Sequence, residues 1–248
     1  MGLLHNMQQL LSLLESPAAL KAMLTWPQFS VTSYHMVSAL VKQGLRPRTI
    51  LDVGANVGQF AVAAARLFPG VHVHSFEPLP DCVAHLRKHA ARLGNITVHP
   101  VALGEREGEV TMRVNAQSRA SSVLPLAPAH REAFPAAQEQ REITVRVATL
   151  DQMLAGLALP PPVLLKIDVQ GYEAQTLRGA TATLPQIEYA VLETSFKPLY
   201  NGELLFMDVV RLMEARGMCF SRPVGWLAAP KTGEVLQMDA LFVRTSQS

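Results

Sequence analysis

Along most of the chain, short apolar runs alternate with stretches of helical spacing, the pattern of a parallel sheet wound with helices. Residues 49–53, 71–76 and 96–101 read as strands. Between them lie a helix over about 58–67, stopped by Pro69-Gly70, and another over about 81–93, with Asp81 as N-cap and Gly94-Asn95 as its stop. The rhythm then breaks. Residues 108–114 and 142–150 alternate like half-exposed antiparallel strands, and the Ser-, Ala-, Pro- and Gln-rich residues 115–141 between them form a connection long enough to be a functional lid or disordered. Thr149 and Gln152 fit a capping box. A buried strand over 163–169, a helix over 172–178, a strand over 189–193, a helix over 204–216 and two closing strands complete the α/β pattern.

Upstream, Leu3, Leu4, Met7, Leu10, Leu11 and Leu14, then Leu20 and Met23, then Val37, Leu40 and Val41 fall at helical spacing, punctuated by Pro17 and Pro27. Two or three helices therefore precede the main domain, which begins near residue 46. They are either a packing appendage or a lid over a site.

Composition narrows the function. The 248 residues are 49% hydrophobic and 17% charged, which suits a globular protein with a sizeable core. A net charge of +2 with no visible basic patch argues against a nucleic-acid partner. Cys82 and Cys219 stand far apart, outside disulfide-framework or zinc spacing. The amino-terminal residues lack a signal-peptide pattern, and no apolar run reaches the roughly 18 residues of a membrane span. A cytoplasmic protein is the expectation.

The stretch "TILDVGANVGQF" carries the first chemistry. A strand end, a glycine turn and a helix start present free N–H groups, and Gly54 is expected to let a ligand approach the backbone. A dinucleotide fingerprint needs glycine where Asn56 and Gln59 stand, so a pyrophosphate cradle is disfavoured. Asp52 would repel phosphate but accept from a ligand ammonium. In "HSFEP", Glu77 ends the second strand, 19 residues after Gly58, where a carboxylate accepts from ribose hydroxyls. Together these features favour S-adenosylmethionine.

Taken in order, "ILDVGANVGQF", "FEPLP", "VALGE", "LLKIDVQGYE" and "ETSFKPLYNGE" resemble the FkbM-family methyltransferases over about residues 46–245. The resemblance implies a Rossmann-like class I methyltransferase fold with a mostly parallel seven-stranded sheet, helices on both faces and a β-hairpin lid inserted at about 108–148. It also implies S-adenosylmethionine-dependent O-methylation of a small hydroxylated substrate, a sugar or secondary metabolite. Carried over, Asp52, Gly54, Ala55, Asn56 and Gln59 would line the methionine end of the cofactor. Glu77 would take the ribose, flanked by Pro78 and Leu79, and Val101, Ala102 and Leu103 would meet the adenine.

Methyl transfer to a hydroxyl needs a general base. Lys166 and Asp168, two apart, share one side of their strand and lie near the carboxyl edge where ligands bind. Asp168 or Glu193 could pair the buried lysine. Asp168 is the expected base, with Lys166 setting its charge and Glu193 next in line. Ser122, Tyr172, Ser195, Phe196 and Tyr200 are the expected substrate contacts. No metal is assigned, because no His-rich or paired-Asp spacing supports one. A homo-oligomer is compatible with the chain. The competing readings are a nicotinamide-dependent oxidoreductase, for which neither a glycine at 56 nor a Tyr-x-x-x-Lys pair is present, and a non-catalytic module on the same fold.

Overall fold

In the computed structural model, residues 17–115, 121–134 and 139–245 are described. The helical pattern expected over residues 3–14, and parts of the connection over residues 115–141, fall outside them. The elements begin with α1 (Pro17–Thr25) and α2 (Val31–Lys42), followed by β1 (Thr49–Val53), α3 (Gln59–Leu67), β2 (His72–Phe76), α4 (Pro80–Leu93) and β3 (Ile96–His99). Next come β4 (Ala102–Leu103), β5 (Gly108–Asn115), α5 (Pro128–Ala133), β6 (Glu139–Ala148) and α6 (Leu150–Leu154). The chain continues through β7 (Val163–Ile167), α7 (Glu173–Arg178), β8 (Tyr189–Ser195), α8 (Phe206–Glu214), β9 (Met218–Ala228) and β10 (Val235–Arg244).

Seven strands form one sheet in the order β3-β2-β1-β7-β8-β10-β9. β1, β2, β3, β7 and β8 are mutually parallel, and β10 runs antiparallel to both β8 and β9. Alternation assigns neighbouring residues to opposite faces. Ile50, Leu164 and Val191 pack with Met36, Val37 and Leu40 of α2 and Phe60, Ala61 and Ala64 of α3. Leu51, Leu165, Ile167 and Leu192 pack on the other face with Leu154, Leu177, Val209 and Met213. Both faces are covered, so β1 and β7 are buried throughout and read as mainly apolar runs, interrupted only by Thr49, Asp52 and Lys166.

Several boundaries differ from the sequence expectation, four of them for a clear physical reason. Pro80, not Asp81, opens α4 at its first turn, because its fixed φ suits that position and its missing N–H costs nothing there. The third run splits at Pro100, with β3 in the main sheet and β4 in a separate sheet of order β4-β6-β5. β6 stops at Ala148 because Thr149 turns into the N-cap of α6, where the expected capping box with Gln152 is present. β7 ends at Ile167, and Asp168 lies just beyond it, its N–H donating to Val53 O at 3.0 Å.

Candidate active site

The turn after β1 packs closely against the loop that follows β7. At Gly54 (φ +79°) a Cβ would lie 1.9 Å from the carbonyl oxygen of Asp168. The glycine therefore admits the loop after β7 on the side its missing Cβ would occupy, and it also lines the cavity described below. Asn56 holds a left-handed φ of 51°, a conformation Asn tolerates better than most residues. Its N–H donates to Glu77 Oε2 at 2.8 Å, and Leu79 N–H donates to Glu77 Oε1 at 2.8 Å. Glu77 is thus buried at the strand end, and that burial pushes its carboxyl up to about 7 against the two N–H bonds.

At the ends of β7, β8 and β10 the chain gathers acids around one lysine. Lys166 Nζ lies 3.2 Å from Asp168 Oδ2 and 3.7 Å from Asp52 Oδ1, and 5.3 Å above the Phe60 ring. Burial works against the ammonium, but Asp168 and Asp52 outweigh it and hold the proton more tightly than in water. Asp52 is fully buried; that burial raises its carboxyl to about 6, with Lys166 pulling the other way. Glu193 of β8 stands in register with Asp239 of β10. Burial and the nearby Asp168 raise Glu193 well above the usual range and Asp239 to about 7.

Gln170, also at a left-handed φ (56°), sits between these acids. Its Nε2 donates to Asp168 Oδ1 and to Glu193 Oε2, both at 2.8 Å, and its Oε1 accepts from the Tyr200 hydroxyl. Glu173 is buried and braces the same turn, its Oε1 accepting from Val169 N–H at 3.1 Å and Gly171 N–H at 3.2 Å; burial raises it to about 8.

A cavity of about 510 Å³ opens over this edge of the sheet. Gly54, Ala55, Asn56, Gln59, Glu77, Pro78, Leu79, Val101, Ala102 and Leu103 all line it, as do Lys166, Asp168, Tyr172 and Glu193. Five expected site residues do not. Asp52 lies beneath the turn and serves Lys166. Ser122 is buried and its hydroxyl donates to Gln170 O at 2.6 Å. The Ser195 hydroxyl donates to Glu203 and accepts from Gln237. Phe196, past the end of β8, turns to the surface against Phe206. Tyr200 is buried behind Gln170. Ser122, Ser195, Phe196 and Tyr200 therefore stand outside the cavity lining, their polar atoms bonded within the protein or, for Phe196, the ring packed on Phe206.

The sequence reading passed over Gln170, Asp239, His130 and Trp226, which also line the cavity, together with Ser30 and Met36 from the start of α2. An acid inside the apolar run "VLQMDALF" was the available signal for Asp239. Asp168 and Glu193 do converge, but on an amide. Among the described residues no three His, Cys, Asp or Glu side chains gather to hold a metal ion.

The residues suit S-adenosylmethionine. Each Glu77 oxygen keeps a free lone pair for a ribose hydroxyl, the Val101–Leu103 wall is apolar enough for a base, and the excess of acids over Lys166 suits a cationic ligand. Fold and cavity together define a class I S-adenosylmethionine-dependent methyltransferase. The fold is shared, for example, with magnesium protoporphyrin IX methyltransferase of Synechocystis PCC 6803, solved with bound SAM (TM-score 0.51, 14% identity, 86% of this chain and 78% of that one).

The Methyltransferase FkbM domain family matches residues 52–218, and the chain belongs to that family. Its relatives include the 31-O-demethyl-FK506 methyltransferase FkbM of Streptomyces tacrolimicus, 32% identical over 70% of this chain and 74% of the relative. They also include the 2-O-methyltransferase NoeI of Sinorhizobium fredii, 25% identical over 71% of this chain and 75% of the relative. Family membership makes the protein an S-adenosylmethionine-dependent methyltransferase and removes the nicotinamide reading. No helix among the described residues is long and apolar enough to cross a membrane.

Proposed function

We propose that the protein methylates a hydroxyl of a sugar or sugar-like metabolite, with Asp168 accepting the hydroxyl proton. The observation that carries this is the Asp168 carboxylate on the cavity wall, held between the buried Lys166 ammonium and the Gln170 amide. Lys166 and Gln170 each bond one of its oxygens and so fix how the carboxylate is presented to the cavity. Relatives that bear the names of oxygen methyltransferases support the hydroxyl acceptor.

S-adenosylmethionine supplies an electrophilic methyl group on a sulfonium. The protein's part is to orient and to take the proton, and positioning accounts for much of such a rate. Asn56, Gln59 and Glu77 hold the cofactor side of the cavity. The half-exposed Trp226, with Leu227 and the start of α2, forms a wall on which an acceptor ring can rest. Glu193 and Asp239 accept from the acceptor's other hydroxyls. In this reading the helices before residue 46 and residues 121–134 choose the acceptor.

Asp168→Asn tests the assignment, because it keeps shape and hydrogen bonding and removes the charge. General-base catalysis contributes about 10²–10⁴-fold. Turnover on a panel of hydroxylated sugars, read by mass, is expected to fall by that factor, while calorimetry shows S-adenosylhomocysteine affinity nearly unchanged. Turnover retained within a few-fold would transfer the role to Glu193.

A further inference from the structure

We propose that Gln170 is a positioning residue that couples the segment covering the cavity to the carboxylate pair Asp168–Glu193. Both hydrogens of its amide are used, one on each carboxylate at 2.8 Å, and its oxygen is taken by the Tyr200 hydroxyl. The two carboxylates fix which way the amide faces, because the reversed amide would set its oxygen against them; Tyr200 then donates to the amide oxygen.

Residues 121–134 reach Gln170 by two separate routes. The Ser122 hydroxyl donates to the Gln170 carbonyl at 2.6 Å. Leu126 forms a β-bridge with Tyr200, reinforced by Ala127 N–H to Leu199 O (2.8 Å) and Asn201 N–H to Pro125 O (2.9 Å). His130 completes this second route by packing its ring 5.6 Å from that of Tyr200. Ser121, Val123, His130 and Phe134 of the same segment line the cavity. When the cover is seated, therefore, the backbone and amide of Gln170 are both fixed and the two carboxylates are held at one separation. When it lifts, both ties are lost at once. A left-handed non-glycine residue carries a conformational cost that surrounding contacts must hold in place, and these contacts supply that restraint.

The inference rests on the base assignment only for its catalytic consequence. Other charged groups act on the bridge: Lys166 on β7, Asp239 on β10, Glu173 on α7 and, behind Tyr200, Glu203. Because the amide donates to the Glu193 carboxylate, its loss raises Glu193 further and moves the acidic limb of the kcat profile to higher pH.

Two variants test it: Gln170→Met, which keeps length and removes both donors, and Tyr200→Phe, which removes the donor that ties the amide oxygen to the residues paired with 121–134. Each is expected to increase amide hydrogen exchange within residues 121–134, to shift the acidic limb upward and to lower kcat by up to about 10²-fold, with the cofactor KM little changed. Should Gln170→Met fail to fold, Tyr200→Phe carries the same readouts. Unaltered exchange and an unmoved limb in a folded variant overturn the coupling. Asp168→Asn, run alongside, separates the two ideas. If Asp168→Asn turns over normally the base assignment falls, while exchange in residues 121–134 still decides whether Gln170 is the link.

Discussion

Replacing Glu77 by glutamine measures how the cavity holds its cofactor. Each carboxylate oxygen already accepts one backbone N–H, from Asn56 or Leu79, and keeps one lone pair for a ligand hydroxyl. Hydrogen bonds to a charged group are worth about 1.5–3 kcal/mol each, so losing the charge beneath two of them costs about 3 kcal/mol, or about a hundredfold in affinity. Glutamine also turns its NH2 toward one of the two backbone N–H groups, which adds to the loss. The wild-type pH dependence supplies an independent check. Burial holds the Glu77 carboxyl at about 7. Ligand hydroxyls donate to the ionised form, so affinity is full above that pH and declines as pH falls through it, by about tenfold per unit. Titration calorimetry with S-adenosylhomocysteine from about pH 8 to about pH 6 reads both effects. Kd is expected to rise about tenfold over that range in the wild type. Glu77→Gln is expected to bind about a hundredfold more weakly at the upper pH and to show a shallower slope, the remainder belonging to Asp52 and Asp239. A Kd within twofold of wild type and an unchanged slope would remove Glu77 from the cofactor site.

Gly54→Ala brings a Cβ within 1.9 Å of the Asp168 carbonyl at a φ of +79°. The expected loss exceeds about 3 kcal/mol, so differential scanning calorimetry should show a large fall in Tm, and near-wild-type melting would mean that the two loops separate freely. Glu173→Gln preserves the Oε1 bonds to Val169 and Gly171 while removing a buried charge. Since the folded-state value, about 8, lies above the unfolded one, the wild type is penalised progressively as pH rises toward and past about 8. The variant should melt higher than wild type near pH 9 and alike near pH 5, and a lower Tm at both would show that the charge itself is needed.

The parallel half of the fold was legible because its runs are buried on both faces. Residues 49–53 were bounded as found, and the carboxyl-end rule led correctly to Lys166, Asp168 and Glu193 at the cavity wall. The same rule hid Asp239. β10 runs antiparallel, so its early residues Gln237, Met238 and Asp239, rather than its end, reach the ligand edge. Ser195, Phe196 and Tyr200 lie outside the cavity lining for reasons no local pattern shows. What the Ser195 hydroxyl bonds, or which way the Tyr200 ring turns, depends on Glu203 and on residues 121–134, which only tertiary folding brings near. Gln170 was invisible for a related reason: a glutamine after a strand carries no periodic signal, and its importance lies in four partners.

The charge balance at this edge connects the parts. Asp52, Asp168, Glu193 and Asp239 face a single lysine, and a buried carboxylate without a partner is expensive. Lys166 is shared between Asp52 and Asp168, so it cannot also neutralise Glu193 and Asp239. The protein answers with the Gln170 amide, which offers directed donors without a charge, and with carboxyls raised toward neutrality. Such an edge favours a ligand that is itself cationic, and S-adenosylmethionine carries both a sulfonium and an ammonium. A second lysine in place of Gln170 would have quenched that preference. An apolar residue there would have left Asp168 and Glu193 to repel each other. An amide does neither: it holds two acids apart at fixed geometry and adds no positive charge of its own at the ligand edge.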